Sequence, residues 1–175
     1  MKILMINGSP RKTGRTGIAS RYITKMHGVD FIDLSVLDVP IFNGEKDQNE
    51  LASVKHIRTS VSEADGIIMA SPEYHSGMSG ALKNALDFLG SEHFANKPVA
   101  LLAVAGGGKG GINALNNMRT VARGLYANAI PKQLVLDPHC FNYENDGLND
   151  TAATQVNGLI EELKIYVRSF SIMKA

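Results

Sequence analysis

Three short stretches carry nearly all the residues of this chain whose types and spacing suit ligand chemistry. The first, Asn7-Gly8-Ser9-Pro10-Arg11-Lys12-Thr13-Gly14-Arg15-Thr16, has the make-up of an anion cradle. Glycine lets the backbone fold tightly, Ser9, Thr13 and Thr16 offer hydroxyls, and Arg11, Lys12 and Arg15 supply positive charge. A helix beginning near Gly14 or Arg15 aims its unpaired amides and positive dipole end at the same point. A phosphate is the expected guest, and the plainer alternative is a basic turn that only caps a helix. The P-loop of nucleotide triphosphatases is excluded by spacing. It needs four residues between its glycine and Gly-Lys-Ser/Thr, whereas five separate Gly8 from Gly14 and Arg15 stands in the lysine position.

The second stretch, Ser71-Pro72-Glu73-Tyr74-His75-Ser76-Gly77, suits a planar aromatic ligand. Pro72 restricts the chain, Tyr74 offers a flat surface for stacking, and Gly77 lets the backbone come close. Ser76 beside His75 lacks the Gly-x-Ser-x-Gly elbow of a hydrolase. The third stretch runs Ala105-Gly106-Gly107-Gly108-Lys109-Gly110-Gly111. Gly106, Gly108 and Gly111 literally match the dinucleotide fingerprint. So glycine-rich a run matches almost by chance, however, and no acidic residue stands near the ribose-reading position about 20 residues on. A flat ring lying against backbone amides is the better reading, with a ligand-free loop as the alternative. Asp137, His139 and Cys140 can be arranged on paper as a thiol catalytic set, but sequence neighbours seldom converge in that geometry; a structural Cys140 and a surface His139 are expected. The histidines at 27, 56, 75, 93 and 139 show no ligand spacing, so no metal site is expected.

The elements that must position these stretches alternate in type. Apolar runs at residues 3–6, 29–34, 66–70, 99–104 and 130–136 read as strands, several apolar throughout, as strands covered on both faces must be. Between them, Ile18, Ala19, Tyr22, Ile23 and Met26 share one helical stripe. Leu51, Val54, Ile57, Val61 and Ala64 share another, and Leu82, Ala85, Leu86 and Leu89 a third. Further helices are expected over residues 111–123 and from Thr151 onward, after an exposed loop at 138–150. Strands separated by helices predict a parallel α/β sheet with right-handed crossovers. The three stretches then lie at the carboxyl ends of strands, where open α/β sheets hold ligands. Met78, Ala81 and Phe88 fall off the core stripe of their helix and are expected to face a partner.

Composition narrows the classes further. The 175 residues carry a net charge of +1 with basic residues scattered, which gives no reason to expect nucleic acid. No run approaches the ~18 apolar residues of a membrane span, and the first six residues are too short for a signal sequence. With the lone Cys140 unable to form an internal disulfide, a cytoplasmic protein folded as one domain over residues 1–175 is expected.

Gly8-Ser9-Pro10-Arg11, Pro72-Glu73-Tyr74, Gly80-Ala81-Leu82-Lys83-Asn84-Ala85-Leu86-Asp87 and the glycine run together resemble the NADPH-dependent FMN reductase family. The resemblance covers nearly the whole chain and is densest over residues 71–137, where it is closest to azo-reducing members. It departs at His75, where many members carry Asn, and at Ser79, where many carry Pro. What the resemblance implies is a flavodoxin-like three-layer α/β/α fold with a five-stranded parallel sheet in the order 2-1-3-4-5. It further implies non-covalent FMN, NADPH as co-substrate, a small-molecule acceptor such as an azo compound or quinone, and a homodimer or homotetramer. Ser9, Arg11, Arg15 and Thr16 would surround the FMN phosphate. Pro72, Glu73, Tyr74, His75 and Ser76 would line the ring, and Gly106, Gly107 and Gly108 would close its other edge. FMN carries the hard chemistry, so no catalytic side chain is certain. His75 is a candidate proton donor with ring packing as its simpler role, and Lys109 is either a charge near the ring or a solvated lysine. A supplier of reduced flavin, a non-catalytic flavodoxin and a flavin-free anion-binding module are the alternatives. Net +1 argues against the carrier, which charge of one sign usually guides to its partners.

Overall fold

The computed structural model describes residues 1–107 and 110–174. Strands β1 (Ile3–Asn7), β2 (Asp30–Asp33), β3 (Gly66–Tyr74), the two-residue β4 (Gly77–Met78), β5 (Pro98–Val104) and β6 (Asn128–Leu136) form one sheet. The order is β2-β1-β3-β5-β6, all parallel, with β4 folded back antiparallel on the end of β3. With β4 set aside, this is the 2-1-3-4-5 order expected from the sequence, that of a flavodoxin-like doubly wound sheet.

Alternation along the strands divides the core between two faces. Leu4, Ile67, Met69 and Leu101 pack against α2 (Ala52–Glu63), α3 (Gly80–Asp87) and α5 (Ile112–Gly124). Met5, Ile68 and Leu102 pack against α1 (Arg15–His27) and α6 (Asp150–Lys174). Helices therefore cover both sides, with one further turn, α4 (Ser91–Phe94), that the sequence pattern did not indicate.

Four expectations are corrected. The third strand does not stop at residue 70: Ser71 and Pro72 pair with Ala103 and Val104, and the strand continues to Tyr74. Proline is tolerated there because β1 ends at Asn7, opposite Ala70, so no β1 carbonyl waits for the missing N–H. Residues 138–150 are not a plain exposed loop. They form a short 3₁₀ turn at Pro138–Cys140 and a hairpin of β7 (Phe141–Asn142) and β8 (Gly147–Leu148), with Cys140 and Phe141 buried in the α1–α6 face. Met26, expected on the buried stripe of α1, is exposed. Met78 and Phe88 are buried rather than presented to a partner, and Ala81 is half-buried. The irregular segment after β2 supplies the cover: Phe42 meets the edge of Phe88 with ring centroids 5.1 Å apart at 86°.

Candidate functional site

The first stretch leaves β1 at Asn7, a buried residue whose side chain shapes the turn after the strand. Asn7 Nδ2 donates to Asp33 Oδ1 at 2.7 Å, and Asn7 Oδ1 accepts from the Ser9 amide at 3.2 Å. Ser9 Oγ then accepts from the Arg11 amide at 3.1 Å, which turns the chain toward α1. Gly8 has no room for a side chain. A Cβ there would lie 2.6 Å from the Ala70 carbonyl oxygen and 2.8 Å from Leu82 Cβ. At the start of α1, Gly14 provides no side-chain cap and the first turn holds no acidic residue, so the amides that a helix leaves unpaired face outward beside buried Thr16 and Ser9. The side chains of Arg11, Lys12 and Arg15 have no ion-pair or hydrogen-bond partner among the described residues. Uncapped amides, two buried hydroxyl residues and uncompensated cations in one loop are the donor set of an anion site.

The second stretch is a hairpin, not a loop. His75 and Ser76 occupy its tip with φ of 48° and 64°, between paired Tyr74 and Gly77. Two successive left-handed residues make a tight primed turn, which asparagine and glycine adopt with far less strain. A buried serine network welds the hairpin's base to the first stretch. The Ser79 amide donates to Ser71 Oγ at 2.9 Å, Ser79 Oγ donates to the Gly8 carbonyl, and the same oxygen caps α3 by accepting from the Leu82 amide at 3.0 Å. The far side is held by α5. Asn117 Oδ1 accepts from the Met78 amide at 3.3 Å, and Glu73 Oε2 accepts from the Ala114 amide at 2.9 Å.

The third stretch joins β5 to α5. Gly111, the residue before the helix, has φ 95° and sits on Val135, whose Cγ1 would be 2.6 Å from an added Cβ. Only glycine fits that backbone and that contact. Gly106 and Gly107 are exposed; Gly108 and Lys109 lie outside the described residues.

A cavity of about 240 Å³ opens where the three stretches meet, lined by Ser9, Arg11, Arg15 and Thr16 from the first, by Pro72, Glu73 and Tyr74 from the second, and by Gly106 from the third. His75, Ser76 and Gly107 do not line it. A larger cleft of about 630 Å³ runs along the edge strand β6 near Arg123 and Tyr166, at the start of β5 rather than its carboxyl end, and gathers no comparable donor set. Among the described residues no group of three or more His, Cys, Asp or Glu clusters as a metal site requires. Reasoning from sequence missed Asn117 altogether, and it quoted Asn7, Ser71 and Ser79 in or beside the stretches without reading their buried hydrogen-bonding roles. Of these only Ser79 carried a local signal, a serine opening an apolar helical run.

Comparison with known proteins agrees with this geometry. Residues 1–140 match the model of the NADPH-dependent FMN reductase family. A Bacillus sp. (strain OY1-2) protein named NADPH azoreductase is 48% identical over 174 residues, covering 99% of this chain and 97% of its own length. The FMN-dependent NADPH-azoreductase of Staphylococcus aureus (strain USA300) is 32% identical over 170 residues, 86% of each chain. Among solved structures, FerB of Paracoccus denitrificans, a flavoenzyme NAD(P)H:(acceptor) oxidoreductase, superposes with a TM-score of 0.76 over 97% of both chains at 17% identity, a likeness of fold.

Proposed function

Because this chain belongs to the NADPH-dependent FMN reductase family, we propose that the cavity at its strand tips holds FMN, and that the protein is an oxidoreductase passing electrons from NADPH to azo compounds. FMN held there would supply the redox chemistry, hydride acceptance from NADPH and electron donation to the acceptor. The observation that carries the assignment is the uncapped start of α1 with Arg11 and Arg15, unpaired among the described residues, beside buried Ser9 and Thr16, lining the same cavity as Pro72 and Tyr74.

The chain's residues divide the work of binding. The α1 amides and the Ser9 and Thr16 hydroxyls donate to the phosphate, while Arg11 and Arg15 neutralise it. Pro72 and Tyr74 present an apolar and an aromatic surface to the ring, and Gly106 leaves the opposite edge free of side chains. His75 stands at the exposed hairpin tip and does not line the cavity, so its part in the proposal is to hand a proton to an acceptor that reaches the open face of the site. His75→Asn tests that role. It should leave FMN affinity within about threefold and slow turnover of a proton-requiring acceptor; equal turnover would remove His75 from the proposal.

The wider reading is of one folded unit acting in the cytoplasm as a homodimer or homotetramer. Supporting it are the absence, among the described residues, of any helix long and apolar enough to cross a membrane, the free Cys140 and the apolar Ile41 and Phe42 exposed beside α3. Light scattering on the purified protein tests the assembly. The activity is tested by mixing FMN-loaded protein with NADPH and a simple azobenzene dye under anaerobic conditions. Bleaching of the dye matched to NADPH consumption is expected. NADPH oxidation that reduces added free flavin and leaves the dye untouched would replace the azo-reductase reading with that of a flavin supplier.

A further inference from the structure

Glu73 has a position that ring contact alone does not explain. It stands near the end of β3, lines the cavity, and turns its carboxylate away to the first turn of α5, where Oε2 accepts from the Ala114 amide at 2.9 Å. The helix has no cap of its own, because the residue before it is Gly111 and its first turn contains no acidic side chain. The other carboxylate oxygen, Oε1, lies 3.8 Å from where a Cβ on Gly110 would sit, so the carboxylate also abuts the last part of the glycine stretch. A side chain on one strand therefore caps the helix that follows another, and the chain between β5 and α5 is anchored at its helical end by a residue from the opposite wall of the cavity. Asn117, one turn further along α5, holds the Met78 amide on the same hairpin. Helix α5 is thus pinned twice to the aromatic hairpin, once through an acceptor on each partner.

Resting on the FMN reading given above, we propose that Glu73 is a positioning residue: by capping α5 across the sheet, it sets the spacing between the hairpin at residues 72–77 and the glycine stretch, the two walls between which a flavin ring would lie. Its reach matters and its charge does not. That separates the proposal from a direct electrostatic role, because two conservative variants split the properties. Glu73→Gln keeps the chain length and an acceptor oxygen but loses the charge; Glu73→Asp keeps the charge and is one methylene too short to reach Ala114.

The experiment measures two things on the full chain. Amide hydrogen exchange of the ligand-free variants reads the cap itself. Protection at Ala114 and its neighbours should persist in Glu73→Gln and fall at least tenfold in Glu73→Asp. FMN affinity, read from quenching of flavin fluorescence, should follow the same order: within about threefold of the parent for Glu73→Gln and weaker by about tenfold for Glu73→Asp, the size of a lost cap. Affinity retained by Glu73→Asp and lost by Glu73→Gln would overturn the proposal in favour of charge. So would unchanged affinity in both, or protection at Ala114 that ignores both substitutions. Failure of the parent protein to bind FMN would strike the functional reading instead, while the exchange data would still judge the cap.

Discussion

At the scale of single residues, the site depends on a few positions that tolerate no change and a few held under strain. Gly8 is of the first kind. Alanine there drives a methyl into the Ala70 carbonyl and Leu82, which should cost about 1–3 kcal/mol or more and displace the loop after β1, seen as a fall in denaturation midpoint together with lost FMN affinity. Ser76 is of the second kind. At φ 64° it occupies a conformation that glycine adopts without penalty, so Ser76→Gly should raise stability by up to about 1 kcal/mol, measured by urea titration, with the hairpin preserved. The residues that a reader of the sequence finds are those whose signal is local: glycines before helices, arginines near a helix start, a tyrosine beside a proline. Glu73 was legible as a member of the site but not as the cap of α5. Its partner, Ala114, is 41 residues away and alanine announces nothing. Phe88 misled for the same reason, since the Phe42 that covers it arrives from an irregular segment with no periodicity to place it.

At the scale of elements, the joints between helices and strands carry the predictions. Ser79 both caps α3 and ties the hairpin to Gly8. Ser79→Ala should therefore cost about 1–2 kcal/mol, with FMN affinity falling alongside stability. A second joint is sensitive to acid. His93, a buried residue of α4 facing Arg58 of α2, accepts from the Gly90 amide at Nδ1 (3.0 Å) and has Arg58 Nε 3.3 Å from Nε2. Burial, helped by Arg58 and Lys97 and opposed by Glu92, holds it below the usual histidine value of 6.5. His27, near Lys164 and hydrogen-bonded to Asn157, is shifted the same way, chiefly by burial. The unfolded chain therefore takes up these protons first. Stability should be flat in these groups above about pH 7.5 and fall as pH drops through 6.5 toward the folded values. The carboxylates of Glu63, Asp146 and Glu161, held low by Lys2, Arg21 and Lys164, withdraw their support only below about pH 4.5. Melting curves between pH 8 and 5.5 should show the slope in the parent and a shallower one in His93→Gln; equal slopes would show that His93 does not titrate on unfolding. Element existence was readable because buried strands are apolar throughout and helices repeat at their own period. The extension of β3 was not readable, since Ser71-Pro72-Glu73 has the composition of a turn and only its pairing with β5 makes it a strand.

At the scale of the molecule, the sheet order decides where chemistry occurs. β1, β3 and β5 are adjacent, so the three stretches at their carboxyl ends emerge side by side, and a cationic loop, the Pro72–Tyr74 segment and Gly106 meet in one cavity. Ligand binding to the folded state alone must stabilise it, so FMN at about 100 times its Kd should add about 2.7 kcal/mol, visible as a rise in melting temperature. The most direct test of FMN binding at the strand tips is a parallel titration of the ligand-free protein with FMN and with riboflavin, which has the ring but lacks the phosphate, repeated on an Arg11→Ala/Arg15→Ala variant. A single FMN should bind per chain, riboflavin should bind at least tenfold more weakly, and the variant should lose FMN affinity by tenfold or more while holding riboflavin as the parent does. Riboflavin binding as tightly as FMN, or a variant indifferent to the phosphate, would contradict the assignment.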